Sequence, residues 1–149
     1  MQVTTMAEWA AKGEQPDILF WVGCAGSFDQ RAQKITKAFA LILEKAGIRF
    51  GILGSEEMCT GDPARRAGNE FMFQMMAWQN IHTLNQYQVK KIVTACPHCF
   101  NILANEYPEL GGQYEVIHHT QLLQELIDGG KIRMKEGGQY KGKKISYHD

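Results

Sequence analysis

The chain has 149 residues, 44% hydrophobic and 21% charged, which suits one domain with a real core and rules out a disordered tract. Lys and Arg together number 16, as do Asp and Glu, so there is no basic excess to displace counterions and charge-driven nucleic-acid binding is excluded. No apolar run reaches membrane-spanning length and residues 1–15 lack the pattern of a signal peptide, so direct membrane insertion is not expected and the reducing cytoplasm is; four cysteines there point to metal or redox chemistry rather than structural disulfides.

Residues 1–16 read as a polar lead-in with one helical turn near residues 7–11, ahead of a domain over residues 17–149. Ile18-Leu19-Phe20-Trp21-Val22 is a continuous apolar run closed by Gly23-Cys24-Ala25-Gly26-Ser27, the pattern of a buried parallel strand and its turn. A helix over residues 29–46 follows, with Ile35, Phe39 and Ile42 as its inner stripe, Ala38 and Ala46 alongside, and Gly47 as its stop. Residues 49–53 form the second strand. Residues 54–68 read as irregular and carry Cys59 and the Asp62-Pro63 step. Asn69 caps a long helix reaching residue 87. The first half of that helix is so rich in Phe, Met and Trp that burial is expected. Residues 90–94 are the third strand, and Pro97, with no N–H to waste and a helical φ, opens a helix to residue 105. Residues 114–117 form the fourth strand and 120–127 a helix. A small hairpin is expected from 132–134 and 139–141, and a fifth strand over 144–147.

Strands alternating with helices predict a three-layer α/β domain, with a parallel or mostly parallel sheet of about four to five strands and helices on both faces. Sites in such sheets lie beyond the carboxyl ends of the strands. Cys24 follows strand one, Cys59 lies after strand two, Cys96 ends strand three, and Cys99 sits one helical turn further on. All four thiols are therefore expected at one edge of the sheet, although the first and the last stand 75 positions apart.

Several thiolates share a small volume only when a cation offsets their repulsion, and both zinc and iron–sulfur clusters take four cysteine ligands. Helix N-termini after Ser27 and at Pro97 would aim partial positive charge at the site. Gly23, Gly26 and Gly61 would let backbone N–H groups approach, and Arg65 and Arg66 add charge unless they form a solvated face. Four inert buried cysteines are the bland alternative. Cys96-Pro97-His98-Cys99 also suits a thiol–disulfide enzyme. The later facing proline of the thioredoxin fold is missing, however, since Pro108 stands too near. Gly23-x-x-Gly26 lacks the third glycine and the acidic residue of a dinucleotide loop. His118 and His119, adjacent on a strand, would point to opposite faces, so at most one joins the site. His82 reads as structural.

Cys24, thirty-four residues, Cys59-Thr60-Gly61, thirty-four residues, then Cys96-Pro97-His98-Cys99 resembles the cysteine-rich CCG domain of heterodisulfide reductase and related iron–sulfur oxidoreductases. Val22-Gly23-Cys24, Cys59-Thr60-Gly61-Asp62-Pro63-Ala64-Arg65-Arg66 and Glu115-Val116-Ile117-His118-His119-Thr120 fit as well, so the likeness covers about residues 17–149. The resemblance implies an iron–sulfur electron-transfer domain of a heterodisulfide reductase-like oxidoreductase, not active alone, with Cys24, Cys59, Cys96 and Cys99 as metal ligands and Gly23 and Gly61 at the cofactor. It implies that this is the first of a tandem pair. The partner second CCG domain, with its His-Asp-Pro-Cys opening, is expected just after Tyr147-His148-Asp149. Other redox subunits are implied too, through which the domain would be membrane-associated. Thr60 stands where some members carry a second adjacent cysteine for a non-cubane cluster. A four-cysteine [4Fe–4S] cluster is therefore the expected cofactor, with a structural zinc site and a Cys96/Cys99 thiol–disulfide enzyme as alternatives. The core is large enough for the fold to form without metal.

Overall fold

A computed structural model describes residues 3–138 and 140–146. A short helix α1 (Met6–Ala11) leads into β1 (Ile18–Trp21), α2 (Gly23–Phe28), α3 (Gln30–Lys45) and β2 (Phe50–Gly51). Then come α4 (Asp62–Arg66), α5 (Glu70–Gln86), β3 (Lys91–Thr94), α6 (Pro97–Asn101), β4 (Glu115–His118) and α7 (His119–Asp128). The sheet order is β2-β1-β3-β4 and every pairing is parallel, with Leu19 opposite Ile92 and Thr94 opposite His118. Sheet and helices thus form the three-layer α/β arrangement that the alternation predicts.

The strands divide their side chains between two cores. Leu19, Trp21 and Ile92 face α1 and α5, where they meet Met6, Phe73, Ala77, Ile81 and Leu84. Ile18, Phe20, Val93 and Ile117 face α3 and α7, where they meet Phe39, Ala40, Leu43, Leu122 and Leu126. This division explains the unbroken apolar run of β1: all four of its residues are buried, two toward each helix layer. Each fully buried side chain of this size contributes about 1.5–3 kcal/mol.

Several elements differ from the sequence expectation. The turn after β1 is itself a helix, α2. The second strand shrinks to Phe50–Gly51, with a lone bridge from Thr5 to Ile52 beside it. The inner face of α3 is Phe39, Ala40 and Leu43, while Ile35 points largely outward. The flank of α3 that carries Phe39, Ala40 and Leu43 is the one packed into the core with Ile18, Phe20 and Val93, and Ile35 lies off it. The first half of α5 is buried on one face alone: Phe73 and Ala77 are covered, while Phe71 is 75% exposed, Met75 58% and Trp78 62%. That helix is buried along Phe73, Ala77, Asn80, Ile81 and Leu84, a spacing of one helical face. The helix at Pro97 loosens after Asn101 into a π turn (Ile102–Glu106) and a 3₁₀ turn (Tyr107–Leu110).

Residues 144–146 form no strand, and the rest of that predicted strand, Tyr147, lies outside the described residues. Its neighbourhood is lysine-rich, and Ile145 alone cannot give a strand a buried face. The predicted hairpin is also missing among the described residues: 132–134 are irregular, 140 and 141 lie in a turn, and Gln139 is outside them. Among the described residues no helix is long and apolar enough to cross a membrane.

Candidate functional site

The strand order places β1 and β3 side by side at the centre, with their following segments departing in different directions. That switch in order opens a crevice beyond their carboxyl ends. It holds a cavity of about 400 Å³ lined by Gly23, Cys24, Ala25, Cys59, Thr60, Asp62, Pro63, Arg66, Cys96, His98 and Cys99. All four cysteines of the chain are therefore on its wall, and all four are free thiols. Cys99 is buried, Cys59 and Cys96 half-buried, and Cys24 exposed.

Cys96 and Cys99 are placed by local structure. Cys96 is the N-cap of α6 and Pro97 its first residue. The Cys96 N–H donates to the Oγ1 of fully buried Thr94 at 3.3 Å, which fixes the end of β3. The Cys96 thiol is lowered to about 5, first because the Cys99 thiol donates to it, then because the Cys99 and His98 N–H groups and the His98 charge face it. The Cys99 thiol is pushed far up by that same bond and by burial. The same contact therefore pulls the two thiols in opposite directions, favouring the thiolate at Cys96 over Cys99.

Cys59 is placed by groups far away in sequence. Its carbonyl accepts from Asn80 Nδ2 at 2.9 Å, and the Thr60 carbonyl accepts from the Tyr107 hydroxyl at 3.1 Å. Asn80 Nδ2 also lies 3.0 Å from the Tyr107 oxygen, and both side chains are fully buried. Burial raises the Tyr107 phenol well above its ordinary range, so it remains a donor. The Gly61 N–H points at the Cys59 sulfur at 3.5 Å. Gly61 has φ +92°, and a Cβ there would stand 2.8 Å from the Phe73 ring, so this loop requires glycine.

Cys24 is held through its neighbours. Gly23 has φ +78°, and a Cβ there would come within 3.3 Å of the Cys99 sulfur. The Val22 and Gly23 N–H groups donate to the two carboxylate oxygens of Glu57 at 2.9 and 2.6 Å. Burial pushes the Glu57 carboxyl up to about 7 against the lowering effect of these bonds. The Gly23 N–H expected at a sulfur is therefore already engaged. Gly26 does not line the cavity; its carbonyl accepts from Thr36 Oγ1 at 3.3 Å.

Charge at the cavity mouth is paired. Asp62 meets His98 Nδ1 at 3.2 Å and Arg66 Nε at 3.3 Å, and Arg66 continues to Glu106. Arg65 pairs with Glu106 at 2.7 Å and lies over the Phe73 ring, so only Arg66 reaches the cavity wall. The helix after Ser27 is capped by Asp29, whose Oδ1 accepts from the Ala32 N–H at 2.7 Å, and neither residue lines the cavity. His118 and His119 do not point apart. The strand ends at His118 and the helix starts at His119, which turns their rings together at 4.4 Å between centroids. Neither lines the cavity, although His118 Nε2 stands 3.3 Å from the Ala95 carbonyl, one residue before Cys96. His82 is exposed on α5.

Glu57, Asn80 and Tyr107 are the residues that sequence reasoning missed. Asn80 left a trace: it is a polar residue on the buried face that runs Phe73, Ala77, Ile81, Leu84. Glu57 and Tyr107 left none, because their partners lie 34 to 47 residues away.

The thiols, with backbone N–H groups around them, are soft anionic donors suited to iron or zinc. Among the described residues no three His, Cys, Asp or Glu side chains converge as the ligands of a single ion would. The four cysteines do line one shared volume.

Residues 18–104 match the cysteine-rich domain family CCG, and the chain belongs to that family. It is 45% identical over 137 residues to the EtfAB:quinone oxidoreductase of Syntrophomonas wolfei, covering 92% of this chain and 19% of that protein. It is 48% identical over 132 residues to the probable iron-sulfur-binding oxidoreductase FadF of Bacillus subtilis, covering 89% of this chain and 19% of that protein. Against a component of the dihydromethanophenazine:CoB–CoM heterodisulfide reductase of Methanosarcina barkeri it is 34% identical over 142 residues, 91% of this chain and 34% of that component. The chain thus spans about a fifth of the first two relatives. No solved structure matches it.

Proposed function

We propose that this domain is the iron–sulfur electron-transfer module of a larger oxidoreductase, with a [4Fe–4S] cluster held by Cys24, Cys59, Cys96 and Cys99. The observation that carries the reading is the convergence of four thiols, from three separate loops, on one cavity at the carboxyl edge of the sheet. Relatives named as iron–sulfur and heterodisulfide oxidoreductases support it. When bound, such a cluster supplies one-electron transfer.

The chain's own residues supply the rest. The Cys99 thiol and the N–H groups of the α6 N-terminus keep Cys96 ionised and ready to ligate. The Gly61 N–H donates to the Cys59 sulfur, and Gly23 leaves room beside Cys99. N–H donors near the sulfurs stabilise added negative charge and so raise the potential. The buried apolar floor under Cys99 keeps water from that side. A four-cysteine zinc site is the second reading, and the relatives named as iron–sulfur and heterodisulfide oxidoreductases favour the cluster over it. A second cysteine-rich domain and further redox subunits belong to the same proposal, supported by the much greater length of the relatives, and cytoplasmic placement is proposed with them.

Anaerobic reconstitution with iron and sulfide tests the reading. About four iron and four sulfide per chain, with visible charge-transfer absorption, is the expected result. Stoichiometric zinc and no bound iron would overturn it.

A further inference from the structure

We propose that Glu57 is the positioning residue of the thiol cavity: its carboxylate clips the Cys24 loop to the Cys59 loop and sets the distance between those two thiols. The proposal rests on the cluster reading for its consequence but on geometry for its existence.

The sheet leaves this distance loosely set. β1 pairs with β3 as far as Trp21 opposite Thr94, so the loops carrying Cys24 and Cys96 leave from a shared register. The pairing of β1 with β2 stops at Leu19 opposite Gly51, two residues short of the end of β1. Cys59 then comes eight positions after Gly51. Something other than the ladder must bring Cys59 back to Cys24.

Glu57 is built for that. It lies two residues before Cys59, and its backbone is tied to the preceding 3₁₀ turn, the Glu57 N–H donating to the Gly54 carbonyl at 3.2 Å. Its two oxygens accept separately from Val22 and Gly23, the residues just before Cys24. Those N–H groups start α2, which has no side-chain cap of its own, and would otherwise be orphans. Two bonds to separate oxygens of one carboxyl group fix direction as well as distance. A glutamine has one acceptor oxygen, and its amide would present N–H groups to a backbone N–H. Glu57→Gln therefore keeps the shape and breaks the clip.

The experiment compares wild type with E57Q on two readouts: amide hydrogen exchange of the metal-free chain, and iron bound after anaerobic reconstitution. At least tenfold faster exchange at Val22 and Gly23, with Val93 unchanged, and at least twofold less iron are expected. Should E57Q fail to fold, E57D takes the same measurements, with both oxygens kept on a stem one methylene shorter. Unchanged exchange overturns the clip. Faster exchange with full iron content and an unaltered visible spectrum reduces Glu57 to a helix cap and overturns the positioning role. Wild type that binds no iron defeats the cluster reading instead, and the clip is then judged on exchange alone.

Discussion

Ion pairs occur at both ends of the sheet, Asp62 with Arg66 and Arg66 with Glu106 among them at the carboxyl edge, but the carboxyl edge adds side chains that hold the cysteine loops through their backbone. At the amino edge, polar side chains meet in exposed ion pairs: Arg49 with Asp17, just before β2 and β1, and Lys91 with Glu115 across β3 and β4. At the carboxyl edge, Glu57, Asn80 and Tyr107 reach inward and bond to backbone groups of the cysteine loops. Pairs of the first kind are worth little, because water and salt screen them. Bonds of the second kind are costly to break, because a buried group loses its only partner. The fold places its expensive polar contacts where loops must be held, and the amino edge serves as an internal control.

The largest effect should come from the thiols themselves. Cys96→Ser and Cys99→Ser should lose bound iron to background on reconstitution, since they remove the pair that the α6 turn sets rigidly. Cys24→Ser, at the exposed rim, should retain some iron with altered spectrum. Equal retention in all three, by iron analysis, would erase the distinction between turn-held and loop-held thiols.

Next come the buried tethers. Tyr107→Phe leaves the Thr60 carbonyl and an Asn80 N–H unpaired, and should cost about 1–3 kcal/mol in urea unfolding. Gly61→Ala forces a side chain into φ +92° against Phe73 and should cost a similar amount, about 1–3 kcal/mol, by the same measurement.

The smallest effect belongs to the amino edge. Arg49 beside Asp17 holds its carboxyl below the usual range, chiefly by a side-chain hydrogen bond. A lowered carboxyl stabilises the fold above its ordinary pKa, and that contribution is lost as pH falls through the lowered value. Asp17→Asn should therefore flatten the acid side of the stability–pH curve, by less than about 1 kcal/mol for so exposed a pair. A larger change than Tyr107→Phe would invert the comparison between the two edges.

The common edge of the cysteines was legible, because strand ends in an alternating α/β chain all face one way. So were Asn69 as a cap, the Pro97 helix start and the buried run of β1. Burial on α5 was not legible. Phe71, Met75 and Trp78 are as apolar as Phe73 and Ala77, and only the sheet's position decides which flank is covered. The rotated stripe of α3 has the same origin. The tethers escaped for a different reason: Glu57 and Tyr107 bond to backbone, and backbone leaves no mark in the composition of the partner segment.

The most direct test is metal and sulfide analysis of the anaerobically reconstituted chain. About four iron and four acid-labile sulfide per chain is the predicted result. A chain that instead takes up one zinc and no iron would contradict the central claim.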